Sequence, residues 1–186
     1  MFKSLPNLLT ISRILVLPAL VATFYYSNPI ASWVALGLFI AAGVTDFFDG
    51  YLARTWNVQS KLGQFLDPVA DKLLVATVIL MLVFKDRIEG LTVLAALVIL
   101  CREILVSGLR EFLAQIKISV PVSRLAKWKT TVQMVAIGFL LLAPDATPFP
   151  TPAIGEIGLW IAAMLTLYTG YDYLRTGLKH MTGPHS

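Results

Sequence analysis

Two pairs of aspartates stand out because they lie among strongly apolar stretches of the chain. Asp46 and Asp49 are three residues apart, and Asp67 and Asp71 are four residues apart. On a helix, each spacing puts both carboxylates on one face. Like charges in a poorly hydrated place repel each other unless a cation neutralises them, and carboxylates are ligands that Mg²⁺ and Mn²⁺ prefer. The two pairs together therefore predict a divalent-metal site.

Each pair taken alone has a simpler explanation. A helix that begins at Asp67 would use that residue as its N-cap, because Pro68 suits the first helical position and Asp71 would still lie in the first turn. Asp46 and Asp49 alone are compatible with a helix end that faces the surface. The metal site is favoured for the four residues together, because acidic side chains in a membrane are costly and usually functional.

The elements that must position these residues are membrane helices. Of the 186 residues, 57% are hydrophobic and 14% are charged, which is typical of polytopic membrane proteins and not of soluble domains. A stretch of about 20 apolar residues is enough to cross a bilayer. We predict an all-α polytopic membrane protein, with one domain over residues 1–186 and six transmembrane helices at 6–26, 30–54, 67–84, 90–113, 125–143 and 153–175.

The second and third spans meet at one membrane boundary, so a helical hairpin would bring the two acidic pairs together. The small residues Gly50, Ala53 and Gly63 would let a bulky group approach the backbone there. The forked guanidinium of Arg54 suits a phosphate. The surroundings of the acids are thus suited to a bulky substrate that carries phosphate.

The positions of lysine and arginine predict the orientation of the chain. With the N-terminus in the cytoplasm, the connections on the opposite side carry only Lys85 and Arg87. The cytoplasmic connections and tail carry Arg54, Lys61, Lys72, Arg110, Lys117, Arg124, Lys127, Lys129, Arg175 and Lys179. The positive-inside rule therefore predicts that both termini are cytoplasmic. This distribution also explains the net charge of +4 without a nucleic-acid partner.

Several residues limit the remaining possibilities. Cys101 is the single cysteine, which excludes an intrachain disulfide, and His180 and His185 are too few for a zinc site rich in cysteine or histidine. Arg13 interrupts the first apolar stretch and no cleavage pattern follows, so we interpret this stretch as a span and not as a removable signal peptide. Residues 143–152 contain four prolines and are predicted to form a non-helical outer loop.

The acidic pairs and their neighbours resemble the signature of the CDP-alcohol phosphotransferase family, Asp-x2-Asp-Gly-x2-Ala-Arg-x8-Gly-x3-Asp-x3-Asp. All eight positions match, at Asp46, Asp49, Gly50, Ala53, Arg54, Gly63, Asp67 and Asp71. The segment Pro6-Asn7-x-x-Thr10-x-x-Arg13 resembles the first-helix pattern of the family. The stretches 102–104, 108–111 and 127–134 resemble the bacterial branch that makes phosphatidylglycerophosphate.

The resemblance implies a six-helix transferase of phospholipid biosynthesis. Its reaction would move the phosphatidyl group of CDP-diacylglycerol to glycerol 3-phosphate, giving CMP and phosphatidylglycerophosphate, the precursor of phosphatidylglycerol. The implied cofactor is Mg²⁺ or Mn²⁺. The implied setting is a homodimer among the lipids of the bacterial cytoplasmic (inner) membrane, with its active site facing the cytoplasm.

The resemblance also assigns roles to individual residues. It implies that Asp46, Asp49, Asp67 and Asp71 hold the metal, and that Asp71 also accepts the proton of the attacking alcohol. The residues implied to bind CDP-diacylglycerol are Asn7, Thr10, Gly50, Arg54, Ser60 and Gly63. These roles agree with the chemistry of the residue types, since a metal ion can neutralise a diphosphate and a carboxylate can take a proton.

An anionic acceptor needs positive groups apart from the metal site. The candidates for binding its phosphate are Arg110, Arg124, Lys127 and Lys129. Membrane topology, or contact with anionic lipid, is an alternative explanation for each of these residues. Arg102 and Glu103, deeper in the fourth span, are equally compatible with a buried structural pair.

Two alternatives to this function are open. Within the family, the acceptor could be inositol phosphate, serine or phosphatidylglycerol itself. Outside the family, the acids could line the path of a divalent-cation transporter. Arg54 argues against transport, because a nearby arginine repels cations and gives a permeation site no advantage.

Overall fold

All the regular secondary structure in the described part of the chain is α-helix. The computed structural model describes residues 5–55, 61–116, 124–142, 144 and 146–182. These residues form α1 (Leu5–Thr23), α2 (Pro29–Thr55), α3 (Lys61–Phe84), α4 (Thr92–Gln115), α5 (Arg124–Leu141) and α6 (Thr151–Thr182). No strand occurs among them. The predicted all-α architecture is therefore confirmed.

Three of these helices are long and apolar enough to cross a membrane. The stretches that qualify are Pro29–Asp46 in α2, Thr92–Gln115 in α4 and Thr151–Arg175 in α6. Many large apolar side chains, including Leu80 and Ile104, lie exposed on the outer surface. Contiguous apolar surface of this kind is unfavourable in water and favourable against lipid tails. The chain thus has the surface of a membrane protein.

The third helix begins earlier than predicted. The sequence placed the start of the third span at residue 67, whereas α3 begins at Lys61 and contains both Asp67 and Pro68. Proline lacks an N–H, so Pro68 costs the helix one backbone hydrogen bond. The alternative interpretation of Asp67 as an N-cap is excluded because the helix begins six residues before it, and its carboxylate accepts hydrogen bonds from α1.

The proline-rich connection before α6 is also shorter than predicted. Residues 143–152 were expected to be entirely non-helical, but α6 begins at Thr151 and includes Pro152. Proline is tolerated there because the N–H groups in the first turn of a helix have no partner within the helix. The helix also continues to Thr182, beyond the predicted end of the sixth span at residue 175.

Two sets of helices make up the bundle. α1 packs against α2 and α3, while α6 packs against α4 and α5. α5 and α6 approach closely: a Cβ on Gly158 would lie 2.9 Å from the Cβ of Ala136, and a Cβ on Gly155 would lie 2.5 Å from the Cγ of Leu140. Glycine at both positions is therefore required for this approach.

The core of the bundle is aliphatic. Its fully buried members include Leu20, Leu82, Ile99, Ile137 and Leu159, which come from five different helices. Most of the buried polar and charged side chains lie toward the end of the bundle where α1, α3 and α5 begin. The apolar core thus supports a polar region at that end.

Candidate active site

The first helix connects the two acidic pairs. The guanidinium of Arg13 in α1 forms an ion pair with Asp46 of α2, and its Nη2 lies 3.4 Å from Oδ1 of Asp67 in α3. The hydroxyl of Thr10, one turn earlier in α1, donates to the same Oδ1 at 2.5 Å. The predicted convergence of α2 and α3 is therefore mediated by α1, which packs against both helices.

Burial differs strongly between the partners in this cluster. Arg13 is only 3% exposed and Thr10 is fully buried, whereas the side chains of Asp46 and Asp67 are 46% and 40% exposed. A buried guanidinium is stable only when it is paired and hydrogen-bonded. The carboxylates satisfy this requirement and keep part of their surface open. They remain accessible to a further ligand.

A third aspartate belongs to the same electrostatic neighbourhood. Asp46 is close enough to both Asp67 and Asp71 for their charges to interact. Asp71 lies one turn beyond Asp67 on α3 and lines a cavity described below. The structure thus brings together one member of the first predicted pair and both members of the second.

The other predicted site residues are described only in part. The side chains of Asn7, Asp49, Gly50, Arg54 and Arg124, and the whole of Ser60, lie outside the described residues. Gly63 is buried near the start of α3. Thr10 was predicted to contact CDP-diacylglycerol, but its buried hydroxyl donates to Asp67. Among the described side chains, no group of three or more acidic, histidine or cysteine residues is arranged to hold a metal ion.

A second charged cluster links α4, α5 and α6. Lys129 of α5, only 2% exposed, forms an ion pair with Glu103 of α4. Nη1 of Arg102 lies 3.9 Å from the same carboxylate, and its Nη2 donates to Oγ1 of Thr169 in α6 at 3.1 Å. Gly170 leaves room for this arginine, since a Cβ there would lie 3.0 Å from the Cγ of Arg102. Arg102 and Glu103 thus belong to a buried network.

The described candidates for binding the acceptor phosphate occupy different environments. Lys129 is buried in the ion pair with Glu103. The Cζ atom of Arg110 lies 5.6 Å from the centroid of the Tyr173 ring, a cation–π distance. Lys127 is exposed at the start of α5. Only Arg110 and Lys127 therefore have a cationic group that is not committed to a described carboxylate.

A cavity of about 290 Å³ lies between α3, α4 and α5. Asp71 and Lys72 line it from α3, Glu103 from α4, and Thr130 and Gln133 from α5. The remaining lining is apolar: Val69, Leu73, Val75, Ala76, Leu100, Ile104 and Met134. The cavity therefore joins a residue of the acidic cluster to a residue of the second cluster.

A larger groove of about 750 Å³ lies between α2 and α5. It is lined almost entirely by apolar groups, from Leu36, Phe39, Ile40, Gly43, Val44, Thr130, Thr131, Met134, Val135, Gly138, Phe139 and Leu142. Thr130 and Met134, one helical turn apart on α5, line both the groove and the cavity. A molecule with an apolar part and a polar end thus finds both environments side by side.

Sequence reasoning missed the roles of Arg13 and Gln133. Arg13 was used only as part of a first-helix pattern and as an argument against a signal peptide, and Gln133 only as part of a stretch that resembles relatives. A usable signal existed for Arg13, since a charged residue within an apolar helix requires a partner of opposite charge. For Gln133 the sequence offers no comparable signal, because a polar amide at one helical position is equally compatible with the surface.

Comparison with known proteins gives consistent results. The family model for CDP-alcohol phosphatidyltransferase matches residues 3–168. A CDP-diacylglycerol--glycerol-3-phosphate 3-phosphatidyltransferase of Rickettsia felis is 50% identical over 96% of this chain and 97% of its own length. A protein of the same name from Cereibacter sphaeroides is 40% identical, with coverage of 96% and 97%. One from Salmonella choleraesuis is 41% identical, with coverage of 92% and 93%.

One solved structure has the same fold. The phosphatidylinositol phosphate synthase of Mycobacterium tuberculosis, crystallised in complex with manganese and citrate, superposes with a TM-score of 0.65. The alignment covers 91% of this chain and 82% of that protein, at 19% sequence identity. At this identity the likeness is one of fold.

Proposed function

Because the chain belongs to the CDP-alcohol phosphatidyltransferase family, we propose that it transfers the phosphatidyl group of CDP-diacylglycerol to glycerol 3-phosphate. The observation that carries this proposal is the position of Asp71. This carboxylate lies near enough to Asp46 for their charges to interact. It also lines a small cavity that contains several polar side chains and shares a wall with a large apolar groove. Full-length relatives at 40–50% identity carry the name of this reaction.

The reaction forms one P–O bond and breaks another. The hydroxyl oxygen of glycerol 3-phosphate attacks the phosphorus that carries the diacylglycerol, and the bond from that phosphorus to the oxygen of CMP breaks. CMP leaves with the electron pair, and Asp71 accepts the proton of the attacking hydroxyl. The products are phosphatidylglycerophosphate and CMP.

The acidic cluster has the donor chemistry for a divalent ion. Asp46, Asp49, Asp67 and Asp71 offer hard oxygen ligands, and the partial exposure of Asp46 and Asp67 supports access to them. A bound Mg²⁺ or Mn²⁺ would supply positive charge that neutralises the diphosphate and the leaving CMP. The fold neighbour's manganese complex supports the use of a divalent metal.

Two residues of α1 hold the carboxylates in place. Arg13 contacts Asp46 and Asp67 at once, and Thr10 fixes one oxygen of Asp67 by hydrogen bonding. Because Thr10 and Arg13 are buried, they fix the spacing of α2 and α3 while the side chains of Asp46 and Asp67 stay partly exposed. This supports a role for both in orienting metal ligands.

In this proposal the groove binds one substrate and the cavity binds the other. The apolar lining between α2 and α5 suits the acyl chains of CDP-diacylglycerol, because their binding there removes almost no polar protein group from water. The cavity of about 290 Å³, close to the lower end of ordinary ligand sites, suits a small acceptor. Lys72 and the nearby Arg110 provide positive charge for its phosphate.

The proposal extends to the setting of the enzyme. In it, the chain is a single domain whose six helices all span the bacterial cytoplasmic membrane, with both termini and the active site on the cytoplasmic side. The excess of lysine and arginine on that side supports this orientation. The enzyme acts as a homodimer.

The deciding experiment is CMP release by the purified protein. CDP-diacylglycerol in mixed micelles is offered with glycerol 3-phosphate, inositol phosphate, serine or phosphatidylglycerol as the acceptor. We expect glycerol 3-phosphate to give the highest kcat/KM by at least about tenfold, since a mismatched acceptor leaves polar groups of the site unpaired. A preference for another acceptor would assign a different activity within the family.

The transporter alternative is tested in sealed liposomes. Direct contact between Arg13 and Asp46 disfavours it, because the guanidinium would obstruct a cation path at that carboxylate. Flux of Mn²⁺ into liposomes without release of CMP would support transport and contradict the transferase proposal.

A further inference from the structure

One buried side chain beside Asp71 has an unmet hydrogen-bonding requirement. Gln133 of α5 is only 2% exposed, and its Oε1 has no hydrogen-bond partner among the described residues. A buried amide oxygen without a partner destabilises a fold, because it has given up its bonds to water. Gln133 also lines the cavity of about 290 Å³. A ligand in that cavity therefore lies against the side chain whose amide oxygen lacks a partner.

Two other buried side chains with an unpaired polar atom provide a comparison for Gln133. The hydroxyls of Thr151 and Thr166 in α6 likewise lack a partner within the described part of the chain. Neither threonine lines the cavity or the groove. Gln133 differs from both because its side chain lines a cavity large enough for a small molecule.

The other walls of the cavity restrict the ligand class. Asp71 and Glu103 provide carboxylates, Lys72 a cation and Thr130 a hydroxyl, so the ligand must be polar and must carry hydroxyl groups as well as any negative charge. A glutamine amide both accepts and donates, which suits a hydroxyl group. The volume is too small for a diacylglycerol lipid and fits a short polyol phosphate.

We propose that Gln133 determines acceptor specificity by binding the hydroxyl next to the one that attacks. This inference rests on the proposed function, in which Asp71 takes the proton of the attacking hydroxyl. Asp71 on α3 and Gln133 on α5 line the same cavity of only about 290 Å³, so one small acceptor in it lies against both side chains. An acceptor without the second hydroxyl leaves the amide unpaired and is rejected.

The test compares two acceptors that differ in this hydroxyl alone. Glycerol 3-phosphate carries it, and 3-hydroxypropyl phosphate lacks it while keeping the attacking hydroxyl and the phosphate. For the wild type we expect kcat/KM for the deoxy acceptor to be lower by about 10- to 100-fold, the range for one buried hydrogen bond left unmade. In Gln133→Leu the value for glycerol 3-phosphate should fall about tenfold.

The variant should treat the two acceptors alike. Its kcat/KM for 3-hydroxypropyl phosphate should stay within about threefold of the wild type, because the lost amide had no partner on that acceptor. The KM for CDP-diacylglycerol should not change. Gln133→Met, which matches the length of glutamine without its polar atoms, repeats the test if Gln133→Leu does not fold.

A matched control separates recognition from packing. Thr166→Val removes a buried, unpaired hydroxyl outside the cavity and should keep the wild-type discrimination. An equal loss for both acceptors in the Gln133 variants, or a wild type that accepts both equally, would overturn the proposal. Absence of CMP release by the wild type with every acceptor would instead overturn the proposed function itself.

Discussion

Two arginines hold opposite ends of the bundle in different ways. Arg13, near the middle of α1, contacts two carboxylates, one toward the end of α2 and one near the start of α3. Arg87 lies in the connection between α3 and α4, where it donates to the carbonyls of Leu140 and Leu141 and, at 3.3 Å, to the hydroxyl of Ser32. Both residues link three helices or connections. Their partners, however, belong to different chemical classes.

The difference separates a reactive end from a structural end. The carbonyls of Leu140 and Leu141 belong to the last turn of α5, where backbone acceptors have no partner within the helix, so Arg87 completes that helix. Asp46 and Asp67 remain partly exposed after pairing with Arg13 and retain free oxygen lone pairs. A partly buried cation among neutral acceptors, as at Arg87, indicates a structural role, and a buried one between accessible carboxylates, as at Arg13, suits the proposed active site.

The largest effect should come from removing a carboxylate at the reactive end. We expect Asp46→Asn and Asp67→Asn each to abolish CMP release, since the metal loses a ligand and Arg13 loses a charge partner. Chelation with EDTA should abolish wild-type activity, and Mg²⁺ or Mn²⁺ should restore it. Full activity with excess chelator would contradict the metal site, and with it the functional difference between the two ends.

The next largest effect should separate binding from chemistry within α3. Asp71→Asn should lower kcat by about 10²- to 10⁴-fold, because asparagine cannot accept the proton of the attacking hydroxyl. Its affinity for CDP-diacylglycerol, measured by calorimetry, should stay near the wild-type value, whereas Asp67→Asn should lose much of both. If Asp71→Asn binds as poorly as Asp67→Asn, Asp71 is mainly a metal ligand.

A smaller effect is expected for a basic residue without a described carboxylate partner. Arg110→Ala should raise the KM for glycerol 3-phosphate by about 10- to 100-fold, the equivalent of a charge-assisted hydrogen bond worth about 1.5 to 3 kcal/mol. The KM for CDP-diacylglycerol should change little. Lys85→Ala, which removes a basic residue just after α3, at the other end of the bundle, serves as the control. Equal effects on both substrates would favour a role in topology only.

The smallest effect on activity should come from the structural end. Arg87→Ala should lower the free energy of unfolding by about 1 to 3 kcal/mol, because the carbonyls that end α5 lose their donors. Thermal unfolding in detergent measures this loss. The kcat of the folded fraction should equal that of the wild type, and Lys85→Ala, at a neighbouring basic residue, should leave both quantities unchanged. A lower kcat in Arg87→Ala would show that the two ends are coupled.

The sequence predicted the helices well because their length and hydropathy are local properties. It failed at the start of α3, where Pro68 was taken for a boundary although tertiary contacts of Asp67 fix that turn inside the helix. It also failed to anticipate that Thr10 and Arg13 would link α2 and α3, since such contacts depend on which helices pack together. The hydrophobic periodicity of a sequence does not show which helices pack against each other.

The candidate site could be predicted only in part for the same reason. The aspartates were recognisable by their spacing, and Asp46, Asp67 and Asp71 do lie in one neighbourhood. The burial of Lys129 against Glu103 was not recognisable, because a lysine beside a membrane boundary usually remains hydrated.

The wall that Thr130 and Met134 share between groove and cavity has a kinetic consequence. In the proposed reaction, one substrate diffuses in two dimensions within the bilayer and the other in three dimensions through water. The rate then depends on the mole fraction of CDP-diacylglycerol among lipids and on the molar concentration of the acceptor. Diluting the lipid substrate with inert lipid should slow the enzyme even when its bulk concentration is constant, as is characteristic of catalysts that work at a phase boundary.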